Sequence, residues 1–219
     1  MRAVLATMLV VGGAVAPVAA MAVHADPETC PAVCDRIPGS AWIPARDVPL
    51  NAVYRWPALA AAAVAVTGTT PRFRFEELCA TPTPPQDPRQ YAVAARAAVA
   101  NPDGQWQLQA QVLHWRGDTA RGGQAAASVF RNAAAALQAC QPGTSPPITL
   151  EQTDRLVAVV GGPVVLHTYL LAHPASSTVS ELALWSSDPP QVPWPLTADT
   201  QILDAMTAPL CTAYIASCP

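Results

Sequence analysis

The sequence predicts an α+β fold in which helices pack on an antiparallel β-sheet. First, apolar and glutamine residues alternate from Trp106 to Trp115, as in a half-buried strand. Second, the Ala-rich segment from Gln124 to Cys140 has apolar residues at every third or fourth position, which is typical of an amphipathic helix. Third, Val- and Leu-rich runs follow before a last apolar helix. Elements of these kinds bury their apolar faces by packing helices on a sheet.

The alternating segment from Trp106 to Trp115 is predicted to be the second strand of a β-hairpin that spans Tyr91–Trp115. Asn101–Gly104 reads Asn-Pro-Asp-Gly, a strong turn signal between two alternating segments. The predicted apolar face carries Trp106, Leu108, Ala110, Val112 and His114. The opposite face carries Gln107, Gln109 and Gln111.

The helix after the hairpin is predicted to begin near Asp118 or Thr119, either of which can cap its first turn. Gly122 and Gly123 should weaken that turn because glycine is a poor helix former. We therefore expect regular helix only from Gln124 onward.

Towards the C-terminus, the sequence predicts three strands and a helix. The strands are Arg155–Val160, Pro163–His173 and Thr178–Ser187, with a Gly-Gly-Pro bend between the first two. The helix is predicted to be capped by Thr197, and Pro209 should kink it or restart it.

The N-terminal part is predicted to be less regular. Residues 26–71 form an irregular or helical lead-in to a single domain at 26–219. Asp47 is a plausible cap for a helix that reaches towards Val66. The nearly all-apolar run Ala58–Val66 should be buried.

Composition excludes several function classes. The formal net charge is −3, and all 12 basic residues are arginine. Without lysine there is no Schiff-base chemistry and no P-loop lysine. Without a basic run, nucleic-acid binding is not expected. No cofactor is predicted.

The first 25 residues predict export. Arg2 precedes a small, apolar stretch, and Val23-His24-Ala25 ends in a residue that signal peptidase accepts. We expect cleavage before Asp26, a secreted or cell-envelope location, and no stable membrane span afterwards. The alternative is an uncleaved anchor.

Six cysteines in an exported chain predict disulfides. Cys211 and Cys218 lie in the predicted last helix, where a rise of about 1.5 Å per residue puts their Cα atoms about 10 Å apart. A disulfide requires less than about 7 Å. We therefore expect each to pair with Cys30 or Cys34, which would staple the two termini together. The alternative is two local loops, Cys30–Cys34 and Cys211–Cys218. A zinc site at the Cys-x3-Cys pair is disfavoured because it lacks a second half.

Three segments resemble a known family: Gln111–Trp115, Ala125–Phe130 and Ala136–Cys140. They are similar to the PknH-like extracellular sensor domain, a mycobacterial family with many secreted proteins and lipoproteins. The likeness covers roughly Phe75 to Ala208. It implies a Cys79–Cys140 disulfide, an antiparallel sheet with helices on one side, and a cleft for an unknown ligand.

No catalytic motif accompanies this pattern. A Gly-x-Ser-x-Gly elbow is absent, so a hydrolase would need Ser and His to meet in space, with His114, His167 or His173 available. The last two lie six residues apart on one strand, about 20 Å, too far to hold one metal ion. The neighbouring acids Glu76 and Glu77 are interpreted as a solvated face or as helix caps.

The expected function is therefore a non-enzymatic, sensor-like binding module in the envelope or outside the cell. Its partner would be an unknown small molecule or an envelope protein. The residues proposed for a ligand cleft are Trp106, Trp115, His167 and Tyr169. The alternatives are an exported hydrolase with a spatially assembled Ser/His site, and a structural or protein-interaction factor of the envelope.

Overall fold

The architecture, taken from a computed structural model, is a seven-stranded antiparallel sheet with helices on both faces. The structure describes residues 29–31, 33–140 and 148–218, so the predicted signal segment Met1–Ala25 lies outside the described part. The strands are β1 (Ala63–Ala65), β2 (Val93–Val99), β3 (Gln107–His114), β4 (Ile148–Glu151), β5 (Arg155–Val160), β6 (Val164–His173) and β7 (Thr178–Ser187). The helices are α1 (Asn51–Tyr54), α2 (Leu59–Ala62), α3 (Arg74–Leu78), α4 (Thr119–Ala139) and α5 (Asp199–Ala213). The predicted α+β fold is confirmed.

The spatial order of the strands is β1-β2-β3-β7-β6-β5-β4, and every neighbouring pair is antiparallel. The predicted hairpin is β2 and β3, joined by a turn in which the Gln105 amide donates to the Pro102 carbonyl at 3.0 Å. Gly104 takes a φ of +78°, which a glycine adopts without strain. The four later strands, β4 to β7, form a meander, and β7 pairs with β3 to join the two halves of the sheet.

The central strand β3 is buried on both faces, which corrects the expectation of a half-buried strand. Its apolar side lies on the front face of the sheet, defined by Trp106, Leu108, Ala110 and Val112. On the back face, Gln109 and Gln111 are also buried, because a layer of polar contacts covers them. Alternation of residue type therefore reflected two kinds of interior, one apolar and one polar.

Two helices cover opposite faces of the sheet. Helix α5 packs on the front face through Ile202, Leu203, Met206 and Leu210. Helix α4 packs on the back face through Ala126, Val129, Phe130, Ala133 and Leu137. The expectation of helices on one side only is therefore wrong. Helix α5 begins after Ala198 rather than at a Thr197 cap, and it continues through Pro209 without ending.

Helix α4 begins earlier than its glycines suggested. The Asp118 side chain accepts the Arg121 amide at 2.8 Å, which confirms the predicted cap. Gly122 and Gly123 are helical and buried against the turn at Pro174–Ser177. An added Cβ would lie 2.4 Å from the Ser177 hydroxyl oxygen at Gly122, and 2.7 Å from the Pro174 carbonyl oxygen at Gly123. Glycine is therefore placed here by close packing, and the expected weak first turn is wrong.

The N-terminal part departs most from expectation. Asp47 ends a short 3-10 turn and does not cap a helix, since α1 begins only after Leu50. In the run Ala58–Val66, Leu59 is buried but most of the other side chains are exposed. The reason is position: α2 is one turn long, and β1 is an edge strand of the sheet. The predicted burial of this run is wrong.

All six cysteines form disulfides: Cys30–Cys34, Cys79–Cys140 and Cys211–Cys218. The second is the pairing that the family resemblance implied. The predicted staple between the termini is wrong, because α5 ends at Ala213 and Ala216 turns the chain with a φ of +58°. That turn brings the Cα atoms of Cys211 and Cys218 to 5.3 Å.

The two termini are nevertheless joined, by backbone hydrogen bonds. The Cys30 amide donates to the Ala213 carbonyl at 2.7 Å, and the Ile215 amide donates to the Cys30 carbonyl at 3.1 Å. This short parallel bridge holds Cys30 against the end of α5, which is the role that the disulfide staple was predicted to have.

Candidate functional site

A groove on the front face is a candidate ligand site. It has a volume of about 560 Å³ and lies between the N-terminal segment 46–53, the loop 192–197 and the start of α5. Most of its lining is apolar, from Val48, Leu50, Val53, Leu196, Ile202 and Ala205. Val53 and Leu196 are exposed to solvent at the groove. Asn51, Thr197 and Gln201 add uncharged polar groups.

The loop wall of this groove is fixed to the sheet by an aromatic stack. The ring of Trp194 lies 3.6 Å, centroid to centroid, from the imidazole of His167, at an interplanar angle of 9°. The ring of Trp106 lies 5.0 Å from that of Trp194, and its indole N–H donates to the Val192 carbonyl at 2.7 Å. Burial lowers the pKa of His167 to about 4, so the imidazole is neutral at ordinary pH.

The helical wall is fixed by a second contact to the sheet. The Tyr169 hydroxyl donates to Asp199 Oδ1 at 2.8 Å, at the first residue of α5. Burial, followed by this hydrogen bond and the carboxylate charge, raises the pKa of Tyr169, so the phenol stays protonated. Tyr169 thereby sets where α5 begins relative to β6.

The N-terminal wall rests on aromatic residues that the sequence analysis missed. Tyr54 and Trp56 stack with their ring centroids 4.8 Å apart. The Tyr54 hydroxyl donates to Gln105 Oε1 at 2.6 Å, and the Trp56 indole donates to the Pro49 carbonyl at 2.7 Å. Two aromatic residues two positions apart, directly before Pro57, are the signal that could have indicated an anchored segment.

The four residues predicted to form the cleft have a different role from the expected one. Trp106, His167 and Tyr169 lie together on the front face, but they support the groove walls rather than line them. Trp115 lies on the back face, where its indole donates to the Pro88 carbonyl at 3.0 Å. The alternation explains the difference, because residues 106 and 115 differ by an odd number.

A buried polar cluster lies on the back face. Glu181 of β7 accepts the Arg74 amide at 2.7 Å and the Gln109 side-chain amide at 3.2 Å, and it therefore fixes the start of α3. Burial raises the pKa of Glu181 to about 8. Beside it, Arg96 donates to Gln111 Oε1 at 2.9 Å. The glutamine face of β3 is thus the floor of a structural network.

Arg89 forms the other part of this network. Its guanidinium group is buried and lies 2.6 Å from a carboxylate oxygen of Glu76 and 2.6 Å from one of Asp87. Glu76 is therefore not on a solvated face. It caps α3, the other predicted possibility, because its carboxylate accepts the Phe73 amide at 2.8 Å. All three charges face one another, so the cluster is a structural ion triad.

Within the described ranges, a histidine lies within hydrogen-bonding distance of a serine hydroxyl at the end of β6. His173 Nδ1 lies 2.7 Å from Ser176 Oγ, and that hydroxyl lies 3.1 Å from the His173 carbonyl, to which it donates. Ser176 is only 4% exposed, so this hydroxyl is not presented to a substrate in solvent. A second histidine, His114, stacks on Tyr214 at 4.5 Å between ring centroids.

One group of possible metal ligands is found within the described ranges. It consists of His173, Cys211 and Cys218, whose ligand atoms all lie within 4.8 Å of one another. The two sulfur atoms are joined to each other in the disulfide. In the same ranges, none of the helices combines the length and hydrophobicity that crossing a bilayer requires.

Comparisons of the chain with protein-family models, with curated proteins and with solved structures found no match.

Proposed function

We propose that the protein is an exported, non-enzymatic binding module, of the cell envelope or the extracellular space, whose ligand occupies the front groove. The groove is the observation that carries this proposal. Its volume of about 560 Å³ falls within the range of about 300–1,000 Å³ that is usual for small-molecule sites. Its lining is mostly apolar with a few polar groups, which is the usual composition of such sites.

The fixed walls of the groove support a binding role. Trp194, Tyr169 and Tyr54 each tie one wall to the sheet or to the hairpin turn. A preformed site loses little conformational entropy on binding, so more of the contact free energy is left for affinity.

Export is supported by the cysteines. All six form disulfides, and such bonds persist in oxidising compartments. The signal-like segment Met1–Ala25 and the resemblance to the PknH-like sensor domain point in the same direction.

The lining indicates a neutral, largely apolar ligand. Arg46 and Asp47 are the ionisable residues at the groove, and they lie 3.6 Å apart as an exposed ion pair. Their charges offset each other, so the groove offers no net charge to a ligand. Asn51, Thr197 and Gln201 supply hydrogen-bonding groups that could orient one polar end.

The test is native mass spectrometry of the protein secreted by its own host, before and after denaturation. We expect a mass excess that disappears on denaturation. The variant Ala205→Trp fills the groove from α5 and should lose this excess. Ala208→Trp places the same side chain on an exposed position of the same helix, and should retain it.

Three results would contradict the proposal. If Ala205→Trp retained the mass excess, the ligand would bind somewhere other than this groove. A clean protein mass in both wild type and Ala208→Trp would favour the interaction-factor alternative. Turnover of an ester that depended on His173 and Ser176 would favour the hydrolase.

A further inference from the structure

We propose that His173, Cys211 and Cys218 form a zinc site when the Cys211–Cys218 disulfide is reduced. The site is separate from the front groove and does not depend on the function proposed for it. Two thiolates and one imidazole are a ligand set that zinc binds well. All three side chains are half-buried, so a reductant and a metal ion can reach them.

The distances suit a tetrahedral ion. With Zn–S near 2.3 Å and Zn–N near 2.0–2.1 Å, neighbouring ligand atoms lie about 3.4–3.8 Å apart. His173 Nε2 already lies 3.5 Å from Cys218 Sγ. Once the S–S bond is broken, side-chain rotation alone can separate the two sulfur atoms to this distance, because the Cα atoms are 5.3 Å apart.

The imidazole is oriented as a ligand. Ser176 Oγ lies 2.7 Å from His173 Nδ1 and 3.1 Å from the His173 carbonyl oxygen, so its hydroxyl can donate to that carbonyl while it accepts from Nδ1–H. In this arrangement the neutral ring carries its proton on Nδ1. The lone pair of Nε2 is left facing Cys218. Histidines that bind metals are commonly fixed by a hydrogen bond of this kind on the other ring nitrogen.

The C-terminal tail is held by hydrogen bonds as well as by the disulfide. The Cys30 amide and carbonyl bond to Ala213 and Ile215 at 2.7 and 3.1 Å. The Ser217 hydroxyl lies 3.2 Å from the Leu210 carbonyl and 2.6 Å from the Tyr214 carbonyl. Because these contacts survive reduction, both thiols stay close to His173.

A dithiol can serve as the reductant of the Cys211–Cys218 disulfide. The dithiol transfers two electrons and two protons to the S–S bond, which breaks into two thiols, and it closes its own disulfide. Zinc then displaces the two thiol protons, which pass to solvent. Three protein ligands leave a fourth position for water or another ligand.

The test uses the full secreted chain, reduced with a phosphine. The phosphine becomes its oxide by taking oxygen from water, and it is removed before zinc is added without air. Zinc is titrated against a chromogenic chelator, and cobalt is used as a spectroscopic probe of thiolate ligands. We expect one equivalent of tightly bound zinc in the reduced protein and none in the oxidised protein. Cobalt should show thiolate charge-transfer and tetrahedral d–d bands.

Matched variants locate the site. His173→Phe should weaken zinc binding at least tenfold. His167→Phe removes a histidine from the same face of the same strand and should leave affinity unchanged. Cys30→Ser with Cys34→Ser should also leave it unchanged. Three results would each overturn the proposal. They are no zinc binding by reduced wild type, equal binding by the oxidised protein, and unchanged affinity in His173→Phe. The comparison of oxidised with reduced wild type requires no mutation, so it stands even if a variant fails to fold.

Discussion

The imidazole of His167 lies flat on the indole of Trp194, with ring centroids 3.6 Å apart. One residue belongs to β6 and the other to the loop that forms a wall of the front groove. The stack therefore does two things: it removes the imidazole from water, and it holds the loop against the sheet. Each effect can be measured separately.

Removing this indole should raise the pKa of His167. Burial is the cause of its lowered value of about 4, and Trp194→Ala uncovers the ring. We expect the pKa to move towards the ordinary 6.5, as measured by NMR titration of the ring protons. Trp185→Ala removes a tryptophan from the back face and should leave the value where it is. A pKa that stays near 4 in Trp194→Ala would mean that other groups bury His167.

A substitution that favours helix should destabilise this protein at Gly123. Alanine is better than glycine in a helix by about 1 kcal/mol. At this position its Cβ would lie 2.7 Å from the Pro174 carbonyl oxygen, which is backbone and cannot turn away. We expect Gly123→Ala to lower the free energy of unfolding by about 1–3 kcal/mol, measured by urea denaturation.

The control for this prediction is Gly39→Ala. There the new Cβ would meet the Ala60 Cβ at 3.7 Å, an ordinary contact. Its free energy of unfolding should change little. Equal or greater stability of Gly123→Ala would show that the helix can shift away from the Pro174 turn.

Five of the seven strands could be predicted because their signal is local, whereas the short edge strands β1 and β4 were not predicted. Segments such as Arg155–Val160 and Thr178–Ser187 carry Val, Leu and Ala at the spacing of a strand, and the structure has strands with the same bounds. The helix after Asp118 was also readable from its cap and its apolar stripe. Its true start could not be predicted, because Gly123 is required by its close contact with Pro174, which lies about fifty residues later in the chain.

The groove could not be predicted for the same physical reason. Its walls come from segments near positions 50, 194 and 202, and no local pattern relates them. His167 and Tyr169 were correctly grouped by alternation, yet whether they would line a cleft or support one depended on Trp194 and Asp199. The predicted staple failed because α5 ends at Ala213 and the chain turns at Ala216, so Cys218 does not have the helical geometry assumed for it. The structure has the alternative of two local loops, Cys30–Cys34 and Cys211–Cys218.

Glu181 should make the protein less stable as the pH rises. Its folded-state pKa of about 8 lies above the ordinary value of 4.5. Between these values the carboxyl is protonated when folded and ionised when unfolded, so unfolding releases a proton. The stability present below about pH 4.5 is therefore lost as the pH rises towards 8, with a slope of at most about 1.4 kcal/mol per pH unit.

Glu181→Gln should remove this slope. The amide keeps an acceptor for the Arg74 amide, and the Gln109 side chain can rotate to accept from it. Urea unfolding at pH 5, 6.5 and 8 should show that the free energy of unfolding of the variant increases relative to that of wild type as the pH rises. The neighbouring charges, Arg96 and Glu76, are unchanged. Glu151→Gln, an exposed site on β4, should follow wild type at all three values. A constant difference between Glu181→Gln and wild type would contradict the prediction.

The three disulfides should contribute unequally to stability. In the chain-entropy account, closing the 61-residue loop of Cys79–Cys140 contributes about 4 kcal/mol, and closing the seven-residue loop of Cys211–Cys218 about 2 kcal/mol. We expect replacement of Cys79 and Cys140 by serine to lower the free energy of unfolding by about 2 kcal/mol more than replacement of the C-terminal pair. The measurement is the urea midpoint and slope of each double variant.

The tail provides a further reason for the small effect of the C-terminal pair. Its backbone hydrogen bonds to Cys30, and those from the Ser217 hydroxyl to the Leu210 and Tyr214 carbonyls, involve no sulfur and should remain when both sulfurs are replaced. The double variant Cys30→Ser with Cys34→Ser is the matched control, since it opens a loop of only four residues and keeps the same backbone bridge. A loss in the C-terminal variant as large as that of the Cys79–Cys140 variant would mean that the disulfide, and not the Cys30 bridge, holds the end of α5 on the sheet.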